Sequence, residues 1–285
     1  LAIVGGGFSG IEALGEILRQ YADYPNLKVS VIEPSSRLLN GLPEVVARDV
    51  MQLAKSQGVE FLMNRQITRI DSEGLTLDGG NRRDTDLVIW TAGTSLPDLI
   101  TKASFDSVGR NGIPVTDVLQ STHYEDVFVA GDAAMFTSPL KKQAYHALDM
   151  GSLAGANIGN WLTNKPLQGF KPLEKPIALS FGDLNTYLIQ GQTAIASPLL
   201  ASVKEAVYQL YMAQLSMTLP LGDLSTGVAD RFVGSVQKLL IPELSKLKLL
   251  NLLRQSRLLQ LGNRSDMETM AKVIYGSVFN RYRTS

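Results

Sequence analysis

The sequence predicts an α/β fold with a doubly wound parallel sheet, and three observations carry that prediction. The chain opens with LAIVGGGFSGIEALGEILRQ, an apolar strand that runs into a glycine-rich turn and then a helical pattern. A second strand, KVSVIEPSSRLL, follows and carries the acid Glu33. Strand and helix patterns then alternate as far as TDLVIWTAG, and such alternation builds parallel sheets with helical crossovers.

Leu1 to Val4 reads as the end of a buried strand. Gly5, Gly7 and Gly10 then give G-x-G-x-x-G, with helical periodicity through Arg19. The first glycine permits the tight turn, the second lets backbone approach a pyrophosphate, and the third lets the helix pack on the strand. Free N–H groups at the helix start face the phosphates. Strand, loop, helix and acid at this spacing point to a nucleotide-binding unit; a glycine-rich turn without a ligand is the alternative. Glu33, at the end of the second strand, can accept hydrogen bonds from both ribose hydroxyls and would repel a 2′-phosphate. NADH is therefore favoured over NADPH, with Arg37 nearby acting against that preference. A solvated strand-end acid is the other reading of Glu33.

From Pro43 a helical pattern runs to Gln57, and Gly58 ends it. VEFLMNRQITRID and GLTLDG are short strands around a turn, an inserted β-meander, and TDLVIWTAG is a strand ending at Gly93. EDVFVAGDAA predicts a strand over Val127 to Ala130 that delivers Gly131 and Asp132 at its C-terminal end. A carboxylate there can bind a polyol hydroxyl, or can cap the following helix. Further on, KPLEKPIALSFGDLNTYLIQGQTAIAS holds two strand-like runs, and the pattern is helical from Leu199. The amphipathic LASVKEAVYQLYMAQLSM fits core or dimer packing. The Leu-rich run VQKLLIPELSKLKLLNLLRQSRLLQLGNR carries Lys238, Lys246, Lys248, Arg254, Arg257 and Arg264. It reads as an interfacial helix on an anionic membrane, or as a helix pair or dimer seam with a basic solvated face.

Composition narrows the classes. The chain has 285 residues, 45% of them hydrophobic, so it can bury a sizeable core. Lys+Arg and Asp+Glu both number 27, so no global field favours nucleic acid. Cysteine is absent, which removes disulfides, thiolate metal sites and thiol redox chemistry from this stretch; no metal site is expected. No run of eighteen uncharged apolar residues suggests a transmembrane helix.

The ordered motifs IVGGGFSGIEALGEIL, VSVIEP, TDLVIWTAG and EDVFVAGDAA resemble the FAD-dependent pyridine nucleotide-disulfide oxidoreductase superfamily. Within it the resemblance is to the type II NADH dehydrogenases, NADH:quinone oxidoreductases of the membrane surface. It covers roughly residues 1–160 and implies FAD and NAD(H) as cofactors and a quinone as partner. It also implies a peripheral place on the cytoplasmic side of a membrane, and C-terminal helices that serve as anchors or in a homodimer. In that family the loop seen here binds NADH, and an upstream loop binds the ADP part of FAD; the chain is thus expected to be N-terminally incomplete.

The resemblance places Glu12 near the nicotinamide and the flavin, as the catalytic candidate; a first-turn acid favoured by the helix dipole is the alternative. It makes Gly93, after Thr91 and Ala92, a close-approach position between nucleotide domains. The resemblance also implies that Asp132, beside Gly131, binds the ribityl chain of FAD. By the same resemblance the helix KKQAYHALDMGSLAGANI is expected to face the flavin, but Tyr145 and Met150 stand where many members carry glutamines, so the quinone site is not assigned. His146 reads as structural or as a proton relay. The implied architecture is a Rossmann-like NAD(H)-binding domain over 1–93, the second half of an FAD domain over 94–165, and a C-terminal region over 166–285. Two other readings stand beside it: a soluble NAD(P)H-dependent flavoprotein reductase for an electron-transfer protein, and a non-catalytic nucleotide-binding module.

Overall fold

The computed structural model describes residues 1–98, 100, 112–172, 176–198, 200, 201, 204, 205, 257–262, 266, 268 and 270. Its first elements are β1 (Ala2–Val4), α1 (Phe8–Gln20), β2 (Ser30–Glu33), α2 (Glu44–Ser56) and β3 (Glu60–Met63). A meander follows, β4 (Ile67–Asp71), β5 (Gly74–Leu77) and β6 (Arg82–Asp84), and then β7 (Val88–Trp90). The parallel sheet has the order β3-β2-β1-β7, with Ile3 opposite Val31 on one side and Ile89 on the other. Period-two alternation sorts its residues between two cores. Ile3 and Val31 face α1 and α2, whereas Ala2 and Ile32 pack with Leu75 and Leu77 of the meander.

The helices follow from their apolar spacing. α1 buries Gly10, Ile11, Leu14 and Gly15; α2 buries Val46, Ala47, Val50 and Ala54. Both are one-stripe patterns of a helix lying on a core. Pro43 stands at the N-cap of α2, where an N–H is not needed. Gly58 ends the turn after it at φ +80°.

The described residues of Leu1–Ala92 and Lys175–Ser285 form one compact unit, and those of Gly93–Glu174 form a second. The second unit holds β8 (Ile113–Pro114) paired in parallel with β9 (Ala134–Met135), and α3 (Ala144–Leu162). Asn157, fully buried on α3, donates to the carbonyls of Val118 and Gln168 at 2.9 Å each and accepts from the Gln168 amide at 2.9 Å. This saturates the side chain on one face and fixes α3 to two loops. The strand expected over Val127 to Ala130 is not formed. Phe128 makes only an isolated bridge to Gln120. Val129 donates to Leu119 at 2.9 Å and Ser121 to Val127 at 2.8 Å. Among the described residues this apolar run finds a pairing partner on one side only.

The first unit is completed by β10 (Ile177–Phe181), β11 (Asn185–Gln190), β12 (Thr193–Ala196) and β13 (Arg257–Gln260), an antiparallel sheet in that order. Three strands thus stand where two runs were expected. Arg257–Gln260, expected within a basic helix, is a strand paired with β12. Lys238, Lys246, Lys248, Arg254 and Arg264 lie outside the described residues, as do 202, 203 and 206–217 of the amphipathic stretch. Leu179, Phe181, Tyr187 and Ile189 share a core with Ile11, Leu14, Val46 and Val50, so the C-terminal sheet lies on α1 and α2. Asp49 of α2 anchors it. Its carboxylate accepts from the Tyr187 hydroxyl at 2.8 Å and from Asn185 Nδ2 at 3.3 Å, and it pairs with Arg257. Burial, reinforced by the Asp49 charge, pushes the Tyr187 hydroxyl far above its ordinary pKa, so it stays a donor. No helix among the described residues is long and apolar enough to cross a membrane.

Candidate functional site

Backbone packing fixes the glycine loop. Gly5 has φ +108°, and its amide donates to Ile32 O at 2.9 Å. A Cβ on Gly10 would lie 1.9 Å from the Gly5 carbonyl oxygen and 2.8 Å from Thr91 Oγ1. Only glycine lets α1 come that close to the end of β1. Thr91 closes the turn, its hydroxyl donating to Val4 O at 2.8 Å and Gly5 O at 3.2 Å. Gly7 is the N-cap of α1, exposed, with no side-chain cap and open space for 4 Å around the place a Cβ would take. The first N–H groups of α1 therefore open outward from a close-approach position, which suits a phosphate.

Glu33 ends β2 under this loop and is 9% exposed. Its Oε2 accepts from the Gly6 amide at 2.7 Å and its Oε1 from the Ser35 amide at 3.0 Å. This is not the solvated strand-end acid of the alternative reading. Residues Ser35 to Leu42 fold back over the loop. Leu38 and Leu39 are buried, and the Leu39 amide donates to Gly6 O at 2.8 Å.

Glu12 lies on the second turn of α1, not the first, and α1 has no acid in its first turn. A helix-dipole explanation for it therefore falls away, because that effect fades beyond the first turn. Its Oε1 accepts from the Ser180 amide of β10 at 3.0 Å and pairs with Lys204. One turn further, α1 touches the C-terminal sheet backbone to backbone. A Cβ on Gly15 would lie 2.4 Å from the Gly182 amide nitrogen, and one on Gly182 2.2 Å from Gly15 O. The C-terminal donors to Glu12 were missed from sequence. The available signal was Gly15 in the motif, a second helix glycine with no ligand to explain it.

In the second unit Gly93 has φ +109° and open space around it, so its conformation requires glycine. Gly131, at φ +71°, starts a 3₁₀ turn over Gly131–Ala133. Asp132 is exposed within that turn and caps no helix, since the N-cap of α3 is Gln143. A cavity of about 520 Å³ opens beside it, lined among others by Gly131, Asp132, Met135, Lys141, His146 and Met150. His146 is buried, with Nδ1 3.1 Å from Lys141 O and its ring edge-on to Tyr145 and Phe170. Met150 is buried against Leu119 and Ala154. One carboxylate at the rim of an apolar cavity can orient a polyol while the walls exclude water. Gly5, Gly7, Gly10, Glu33 and Glu12 are thus gathered in the first unit, and Gly93, Gly131 and Asp132 belong to the second. No group of acids and histidines among the described residues could hold a metal ion.

The model of the pyridine nucleotide-disulphide oxidoreductase family matches residues 1–151. The chain belongs to this family. Its curated relatives include the type II NADH:quinone oxidoreductase of Haemophilus influenzae, 30% identical over 200 residues, covering 64% of this chain and 45% of that protein. Ferroptosis suppressor protein 1 of Homo sapiens is 28% identical over 195 residues, covering 64% of this chain and 51% of that protein. The chain spans about half the length of these relatives. Among solved structures, NDH2 from Plasmodium falciparum in complex with NADH superposes with a TM-score of 0.64 at 12% identity, over 74% of this chain and 61% of that one. That likeness supports the α/β fold with its Rossmann-like parallel core.

Proposed function

We propose that this chain carries the NADH-binding part and one flavin-facing part of an FAD-dependent NADH:quinone oxidoreductase. The observation that carries the reading is the loop of the first unit: Gly5 in a left-handed turn, Gly10 against the Gly5 carbonyl, Gly7 open, and Glu33 beneath. The names of the relatives supply the acceptor class. Bound FAD would take a hydride from NADH and pass two electrons to the quinone. The residues of the chain position the partners. The N–H groups of α1 hold the nucleotide pyrophosphate, and Glu33 takes the ribose hydroxyls on the lone pairs its backbone donors leave free. Glu12, oriented by Ser180 and Lys204, presents a carboxylate toward the nicotinamide. Asp132 takes a ribityl hydroxyl of the flavin, with Gly93 and Gly131 as close-approach positions. Attachment to a membrane surface, or a homodimer, is assigned to the C-terminal region on its basic, Leu-rich composition.

The test is titration of the chain with NADH and NADPH, for the wild type and Glu33→Arg, followed by nicotinamide fluorescence. The wild type should prefer NADH, and the variant should move the preference toward NADPH. Absence of NADH binding by the wild type would sink the reading; an unchanged preference would remove Glu33 from the ribose site.

A further inference from the structure

We infer that Asn40 and the Leu42 carbonyl set dinucleotide specificity by holding Arg37 away from the ribose position; the inference rests on the NADH reading of the loop. An arginine shortly after the strand-end acid is the usual partner of a 2′-phosphate. By sequence position Arg37 is such a residue, four places after Glu33. Its guanidinium is engaged elsewhere. Nε donates to Asn40 Oδ1 at 3.2 Å, and Nη2 donates to Leu42 O at 3.0 Å.

The backbone makes this latch specific. Leu39 adopts φ +52°, a left-handed conformation rare for a residue with a side chain, and Gly41 adopts φ +91°. The strained turn is held by the Leu39 amide on Gly6 O and by burial of Leu38 and Leu39. It carries Asn40 and the Leu42 carbonyl round to the guanidinium. The discrimination against NADPH then has two parts. Glu33 repels the phosphate, and the cation that could neutralise it is already bound to the loop. Asn40 acts through Arg37, so it is a positioning residue.

The experiment measures NADH and NADPH affinity of the full chain for the wild type, Asn40→Ala, Arg37→Met and the double variant. Asn40→Ala removes one acceptor from a charged donor, an interaction that commonly decides about tenfold in an equilibrium. NADPH affinity should therefore rise about three- to tenfold in Asn40→Ala, with NADH affinity unchanged, and the double variant should lose the gain. No gain in Asn40→Ala, or a gain that survives removal of Arg37, would overturn the latch while leaving the NADH reading intact. Loss of NADH binding in Asn40→Ala alone would overturn it too, by placing Asn40 in the binding machinery. If the wild type binds neither nucleotide, the NADH reading and the latch fall together.

Discussion

At Gly10 a single added methyl carbon would lie 1.9 Å from a backbone carbonyl; at Gly131 it would find only the Ala147 methyl, at 3.5 Å. Gly10 lies in the first turn of α1, locked against the backbone at the end of β1, whereas Gly131 opens a 3₁₀ turn that borders an open cavity. The glycine loop is held by its own chain, because its turn, its acid and its covering residues all bond to one another. The Gly131–Asp132 turn is shaped less by its neighbours. It presents one carboxylate, and its specificity depends on what fills the cavity.

The largest effect should come from Gly10→Ala. The Gly5 carbonyl cannot yield without opening the turn, so the variant should lose about 3 kcal/mol and its NADH binding together, read by denaturant unfolding and titration. A stable variant that still binds NADH would break the contrast. Next is Asp49→Ala. It leaves a buried tyrosine hydroxyl and an arginine without their acceptor, and should cost about 2 kcal/mol by the same unfolding measurement. Asp132→Ala should change stability by less than about 0.5 kcal/mol, since the residue is exposed and caps nothing. In the flavin-containing protein it should nevertheless lower flavin retention. Wild-type flavin occupancy would remove Asp132 from the site.

The smallest effect lies on the meander of the first unit. Arg82 donates to Asp71, helped by the Glu73 amide, and lowers its pKa from 3.8 to about 2. A depressed carboxylate contributes stability above its ordinary titration range and loses it as the pH falls from about 4 to about 2. In Arg82→Met the Asp71 carboxyl should titrate above about 2, part of the way back toward 3.8, by NMR, since the Glu73 amide and Arg69 remain. An unchanged low value would credit the Glu73 amide instead.

The contrast also sorts what was legible in the sequence. The strand, loop, helix and Glu33 interact within a short stretch of chain, and their spacing alone announces the turn. The surroundings of Glu12 were not legible, because its partners Ser180 and Lys204 come from a distant sheet and the segment after it. The strand Arg257–Gln260 was hidden in a Leu-rich basic run whose period suits a helix; pairing with β12 decided it. Val127 to Ala130 misled in the opposite direction, being apolar and β-branched yet bridged on one side only. Local chemistry announces a turn, while partners distant along the chain decide which runs become strands.

The meeting of Gly15 and Gly182 bears on exchange of parts between relatives. Each position would drive a side chain into the backbone of the other, so neither can change while the other stays fixed. A chimera that joins residues 1–92 of this chain to the C-terminal segment of a relative would dock only if the donor brings its own glycine at that turn. The two stretches, far apart in the chain, are therefore tied as one heritable piece.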